Sequence, residues 1–102
     1  MELIAELADY IEDEIADAKK YARHAIRLQD RKPDVAKLFY TLSNEELGHM
    51  DRLHSAVKGL IAQYRDEHGE PPPDMQARYD RMHQKSMDNA AEVYGILGRF
   101  KG

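Results

Sequence analysis

Three ionisable residues interrupt the apolar stripes of two predicted helices and could together bind a cation. Glu14 falls in the series of positions 7, 11, 14, 18 and 21, and Glu46 and His49 fall in the series 42, 46, 49 and 53. Burying two carboxylates beside an imidazole is costly unless another charge compensates them, and no Lys or Arg occupies a matching stripe position. A divalent cation is therefore the expected partner.

The donor types narrow the choice of metal. Glu46 and His49 are three residues apart, so a carboxylate oxygen and an imidazole nitrogen project from one helical face. This mixed set suits iron or manganese better than calcium, and the ligand types also allow zinc. Two neighbours are candidates for supporting contacts to the ligands: Tyr21, which otherwise packs in the core, and Glu45, which is otherwise a solvated charge.

Long amphipathic helices must position these residues. The first is predicted over residues 2–29, and residues 30–34 end it because Pro33 disfavours helix before it and suits a first helical turn after it. The second is predicted over residues 33–68. Their apolar stripes consist of Leu3, Leu7, Ile11, Ala18, Tyr21, Ala25 and Leu28, and of Val35, Leu38, Leu42, Leu53, Val57, Leu60 and Tyr64.

A third helix is predicted over residues 75–98, after a stiff proline spacer at residues 70–73, with Asp74 as its N-cap. Its stripe consists of Met75, Tyr79, Met82, Ser86, Ala90, Val93 and Leu97. The sequence contains no strand signal. The chain of 102 residues is thus predicted to be a single all-α domain.

The short connection between the first two helices predicts an antiparallel hairpin. With the turn centred at about residue 31, Glu14 lies about 17 residues before it and the Glu46 and His49 pair about 16 to 17 residues after it, so the donors should stand level. A hairpin alone leaves an apolar face exposed. A homodimer or higher homo-oligomer that completes a four-helix bundle is therefore expected.

Composition excludes several classes of function. Fifteen basic residues against nineteen acidic ones give a net charge of -4 with no basic cluster, which argues against nucleic-acid binding. The absence of cysteine excludes disulfides, thiolate metal sites and cysteine nucleophiles. The N-terminal residues lack the features of a secretory signal, and no segment is apolar enough for a membrane span. We expect a cytoplasmic protein without a membrane partner.

The pattern of Glu14, Tyr21 seven residues later, and the segment SNEELGH at residues 43–49 resembles the Glu and Glu-x-x-His motifs of ferritin-like di-iron carboxylate proteins, especially rubrerythrins and encapsulated ferritins. The resemblance covers roughly residues 7–60. It implies that Glu14 and His49 are terminal iron ligands, that Glu46 bridges two irons, and that Tyr21 lies close by. The chain has one ligand set instead of two, and in this it is more similar to encapsulated ferritins, which build the di-iron site across a two-fold axis.

The resemblance implies ferroxidase activity in iron storage or detoxification, with Glu14, Glu46 and His49 as catalytic residues and two irons per dimer. Peroxide reduction in the rubrerythrin manner is an alternative, although no cysteine is available for a rubredoxin-type electron donor. Another is a non-enzymatic helical assembly or adaptor protein whose polar seam fixes its register. The resemblance also suggests a protein-shell partner and location in a nanocompartment, with residues 95–102 as either a helix end or a docking tail.

The remaining polar and sulfur-containing residues are expected to be structural. His54 and His83 are interpreted as hydrogen-bonded or exposed, His24 and His68 as surface residues, and Met75 and Met82 as packing residues. Glu92 is interpreted as a solvated charge. An acidic outer face of the first helix is predicted from Asp9, Glu12, Asp13 and Asp17.

Overall fold

The computed structural model describes residues 2–102 and contains three helices: α1 (Glu2–Leu28), α2 (Pro33–His68) and α3 (Pro73–Leu97). No strand occurs among these residues. The predicted all-α class and the three predicted helical segments are confirmed, and every boundary lies within two residues of its prediction.

Prolines and a glycine set the helix boundaries. Pro33 and Pro73 each occupy the first turn of a helix, where the missing N–H is not needed and the fixed φ is already helical. The prediction of Asp74 as an N-cap is wrong, because α3 begins inside the proline spacer and Pro72 is the residue before it. Gly69 ends α2 at φ +79°, a conformation that favours glycine, and its N–H donates to the Arg65 carbonyl at 2.9 Å.

The helices run up, down and up along a molecule of 56 × 17 × 17 Å. The α1 and α2 helices are antiparallel, since Ala18 contacts Ser43 while Glu14, earlier in α1, contacts His49, later in α2. The α3 helix runs parallel to α1: Glu12 contacts Ser86, and Lys19 contacts Glu92. The predicted hairpin is therefore present, with α3 packed on α1.

The core contains most of the predicted stripe of α3 but only part of the predicted stripes of α1 and α2. Its centre is rich in alanine, which lets helices approach closely. The buried residues are Ile4, Ile11, Ile15, Ala18, Ala22 and Ala25 of α1, Ala36, Ser43, Leu47, Met50 and Val57 of α2, and Ser86, Ala90, Val93, Ile96 and Leu97 of α3. Leu3, Val35 and Leu38, which also belong to the predicted stripes, are 53%, 42% and 55% exposed within one chain.

The stripe residues that the chain leaves half-buried or exposed form a second stripe along the hairpin, which we call the open face. It consists of Leu3, Leu7, Glu14 and Tyr21 of α1 and Val35, Leu38, Leu42, Glu46, His49 and Leu53 of α2. All of these residues are half-buried or exposed. The α1 and α2 helices thus each carry two adjacent apolar stripes, of which the chain buries one.

The C-terminal residues fold back toward the hairpin turn. The Phe100 ring stacks on Tyr40 with ring centroids 4.5 Å apart, and the Lys101 backbone N–H donates to the Gln29 side-chain oxygen at 2.9 Å. The α3 helix ends at Leu97, before these contacts. Separately, none of the three described helices has an apolar stretch long enough to cross a bilayer.

Candidate metal centre

The structure brings Glu14, Glu46 and His49 together across the α1–α2 interface. His49 Nδ1 lies 3.2 Å from Glu14 Oε2 and 3.8 Å from Glu46 Oε2. One donor atom from each residue can be chosen so that all three lie within 4.8 Å of one another. The two helices therefore present their donors at one level, as the distances along the chain from the turn predict.

A hydrogen bond one helical turn away sets the register of these donors. Ser43 Oγ donates to the Ala18 carbonyl oxygen at 2.7 Å in the buried interface. Ala18 is four residues after Glu14, and Ser43 is three residues before Glu46. Small residues at both positions allow close contact of the two backbones, so Glu14 and Glu46, each about one turn from this contact, can meet.

The three donors lie at the edge of the core instead of inside it. The exposed fractions of their side chains are 25% for Glu14, 19% for Glu46 and 49% for His49. The stripe positions predict that all three side chains are buried, and within one chain this prediction is wrong. The reason is the rotation of both helices, which buries the adjacent residues Ile15 and Leu47 and leaves the donors on the open face.

The two carboxylates compete for a proton. The pKa of Glu46 is raised to about 7, first by its hydrogen bond with Glu14, then by burial and by the negative charge of Glu14, while His49 acts in the opposite direction. Like charges at this distance cannot both ionise freely, so the pair holds a proton close to neutral pH. A bound cation would replace this proton and stabilise both carboxylates in the charged form.

The spacing of the donors fits a first-row transition metal. Bonds of about 2.0 to 2.2 Å place two donors of one ion no more than about 4.4 Å apart. The 3.2 and 3.8 Å separations from His49 Nδ1 lie within this limit. Two carboxylates and one imidazole supply the mixed oxygen and nitrogen set that iron, manganese or zinc accepts, and three protein donors leave coordination positions open. All three donor atoms lie within 4.8 Å of one another, so a shift of about 0.4 Å or less would let them hold one ion per chain.

The two candidates for supporting contacts differ in their surroundings. Tyr21 is half-buried, and its ring stacks on Phe39 with centroids 6.0 Å apart. Glu45 is exposed on the outer side of α2. Their predicted contacts to the ligands stay predictions.

Asp9, Asp13 and Asp17 of the predicted acidic outer face are exposed, but Glu12 does not belong to that face, and this part of the prediction is wrong. Its carboxylate is half-buried between α1 and α3, where it accepts hydrogen bonds from Ser86 Oγ at 2.7 Å and Asn89 Nδ2 at 3.2 Å. Glu92 is exposed as predicted, but it also pairs with Lys19 Nζ at 2.8 Å, and this lysine lowers the pKa of Glu92. Both corrections arise because α3 packs against α1.

His54 and His83 are hydrogen-bonded, one of the two states that the sequence predicts for them, but sequence reasoning missed that they pair with each other. Their ring nitrogens are 2.8 Å apart, and the two rings stack. Each histidine lies next to an apolar stripe residue, Leu53 in α2 and Met82 in α3, which was a signal that both face a helix interface. The sequence spacing, however, cannot show that two residues 29 positions apart pair with each other, because it does not give the register of α3 on α2.

Comparisons with known protein families, with curated proteins and with solved structures found no match for this chain. The likeness to ferritin-like proteins therefore depends on its own residues, chiefly Glu14, Tyr21, Glu46 and His49. It stays a prediction, and what it implies about activity is a proposal.

Proposed function

We propose that the protein binds ferrous iron through Glu14, Glu46 and His49 and oxidises it, as a ferroxidase that serves iron storage or detoxification. The observation that supports this most is the convergence of two carboxylates and one imidazole from two helices. Without a cation the two glutamates share a proton and so carry one negative charge less. A bound cation replaces that proton and compensates both negative charges. The likeness of these residues to the ferritin-like motif favours iron among the metals that the donors accept.

The open face supports a second copy of the chain as part of the site. It surrounds the donors with apolar side chains, of which Val35 and Leu38 are 42% and 55% exposed. Exposed apolar stripes of this kind typically mark an interface. A two-fold axis beside Glu14 would cover the stripe and bring two sets of donors together, which gives four carboxylates and two imidazoles for two irons. The four-helix bundle would then be complete.

The proposed reaction treats ferrous iron as the substrate. Two ferrous ions each lose one electron, and dioxygen takes up both electrons and two protons to give hydrogen peroxide and two ferric ions. Carboxylate oxygens are hard donors that favour the ferric product. In this proposal Glu14 and His49 are terminal ligands, and Glu46 bridges the two ions. The proton shared by the two glutamates leaves when iron binds.

The test is aerobic loading of the untagged protein with ferrous iron, followed by the ferric absorbance and by metal analysis. We expect oxidation faster than in buffer and about one iron per chain. Replacement of Glu14, Glu46 and His49 by alanine should abolish both. Asp66→Asn, which changes an exposed acid on α2, is the matched control and should change neither.

Two outcomes would point to other functions. A protein that forms dimers but binds no stoichiometric metal would be an assembly or adaptor protein, and the ferroxidase proposal would be wrong. Oxidation that proceeds with hydrogen peroxide but not with dioxygen would indicate peroxide reduction of the rubrerythrin kind. Co-purification with a shell protein, lost when residues 98–102 are deleted, would support location in a nanocompartment.

A further inference from the structure

A second group of residues whose side-chain types can bind a metal lies between α2 and α3 and shares no residue with the proposed iron centre. His54 Nε2 and His83 Nδ1 are 2.8 Å apart, and the ring centroids are 4.5 Å apart with the planes inclined by 21°. Both side chains are half-buried. At this distance one ring donates an N–H to the other. Both facing nitrogens can bind a metal once the donor ring takes its other tautomer, with its proton on the far ring nitrogen.

Three methionines line the cavity beside these histidines. Met50, Met82 and Met87 line the same narrow cavity as His54 and His83, together with Tyr79, Ser86 and aliphatic side chains. The volume of this cavity is about 20 Å³, which is space for one occupant the size of a water molecule. Of the described residues that line it, none is acidic and none is a lysine or arginine.

The chemistry of these donors selects for a soft ion of low charge. Thioether sulfur favours Cu(I) over harder divalent ions, and imidazole nitrogen binds copper well. Because the donors are neutral, a monovalent ion brings less charge into this apolar cavity than a divalent one would. Burial, together with the charges of His83 and Lys58, lowers the pKa of His54 and thereby favours the neutral ring that a metal requires.

Only a small movement is needed to admit the ion. Two nitrogens bound to one ion at about 2.0 Å each are about 3.3 Å apart at the tetrahedral angle. The nitrogens of His54 and His83 now stand 2.8 Å apart, so the rings would separate by about half an ångström. Methionine side chains are flexible enough to complete the coordination.

We propose that His54 and His83, with thioether sulfur from the methionines around the cavity, form a site that binds Cu(I). This site does not depend on the proposed function, because its donors come from a different interface. Its simpler alternative is that the histidine pair is only a hydrogen bond that holds α3 on α2.

The test is anaerobic titration of the full chain with Cu(I) in competition with the chromophoric chelator bicinchoninate. We expect one Cu(I) per chain to be withheld from the chelator. His54→Gln and His83→Gln should each weaken binding at least about 100-fold, since the loss of a mere supporting partner already costs about 10 to 100-fold. His68→Gln, on an exposed histidine, is the matched control and should change nothing.

Two further measurements separate a metal site from a hydrogen bond. Met50→Leu and Met82→Leu conserve volume and should leave circular dichroism unchanged while they weaken Cu(I) binding. X-ray absorption at the copper edge should show both nitrogen and sulfur neighbours. The proposal is wrong if the wild type withholds no Cu(I), if the methionine variants bind it as tightly as the wild type, or if binding is lost instead in the Glu14, Glu46 and His49 triple variant.

Discussion

Ser43 and Ala18 form the contact that fixes the register of the hairpin. The Ser43 hydroxyl donates to the Ala18 carbonyl oxygen at 2.7 Å, and both residues are completely inaccessible to solvent. Glu14 lies one turn from this contact on α1, and Glu46 lies one turn from it on α2. The position of the candidate ligands is therefore a consequence of how closely the two helices approach at a buried serine.

We predict that Ser43→Ala costs about 0.5 to 1.5 kcal/mol of stability, the usual net contribution of one hydrogen bond, and leaves iron binding intact. Ser43→Leu should also reduce iron binding, because a larger side chain here forces the backbones apart. Urea unfolding and iron titration of the two variants measure both effects. Equal iron affinity in Ser43→Leu and wild type would show that this contact does not position the donors.

Metal binding should depend on pH through Glu46. The pKa of this carboxyl is raised to about 7, mainly by Glu14, so the pair carries a proton below that pH which must leave when metal binds. The apparent affinity for Mn²⁺, a stand-in that air does not oxidise, should fall by about tenfold for each pH unit below 7 and gain nothing from this group above it. Calorimetric titration at several pH values measures this slope. The Glu46→Gln variant should lack the part of the slope that comes from the Glu46 proton. An equal slope in wild type and variant would contradict the shared proton.

Glu12 should contribute to the stability of α3 on α1. Its carboxylate accepts from Ser86 and Asn89, so Glu12→Ala leaves a buried hydroxyl and a half-buried amide without this partner. We expect a loss of about 1 to 3 kcal/mol in urea unfolding. Glu6→Ala, on an exposed position of the same helix, is the control and should stay within about 0.5 kcal/mol of the wild type.

The open face should be a dimer interface. Leu38 is 55% exposed, and Leu38→Glu would place a charge in the proposed contact between two copies. We expect light scattering to show dimers for the wild type and monomers for this variant, with helical content retained. Tyr94→Glu is the matched control, because Tyr94 is 51% exposed on α3, outside the open face. Dimers in both variants, or monomers in the wild type, would contradict this interface.

The sequence predicts the helices well because prolines at helix boundaries and the apolar periodicity are local signals. It does not predict which of two adjacent stripes the chain buries, since Leu3 and Ile4 or Leu42 and Ser43 satisfy the same period. That choice depends on the small residues in the α1–α2 contact and on the place where α3 packs.

Some contacts of the polar residues could likewise be predicted from the sequence, and others could not. Glu14, Glu46 and His49 could be placed at one level because only a short turn separates their helices. The partners of Glu12 could not, and neither could the pairing of His54 with His83, because both depend on the register of α3 after a proline spacer. Sequence spacing contains no information on that register.

The most direct test of the account is an anomalous-difference map at the iron absorption edge from crystals of the iron-loaded protein. We predict two peaks per dimer beside a two-fold axis, each at a bonding distance of about 2.0 to 2.3 Å from donors of Glu14, Glu46 and His49. Iron peaks at other residues only, or none in loaded protein whose three side chains are ordered, would contradict it.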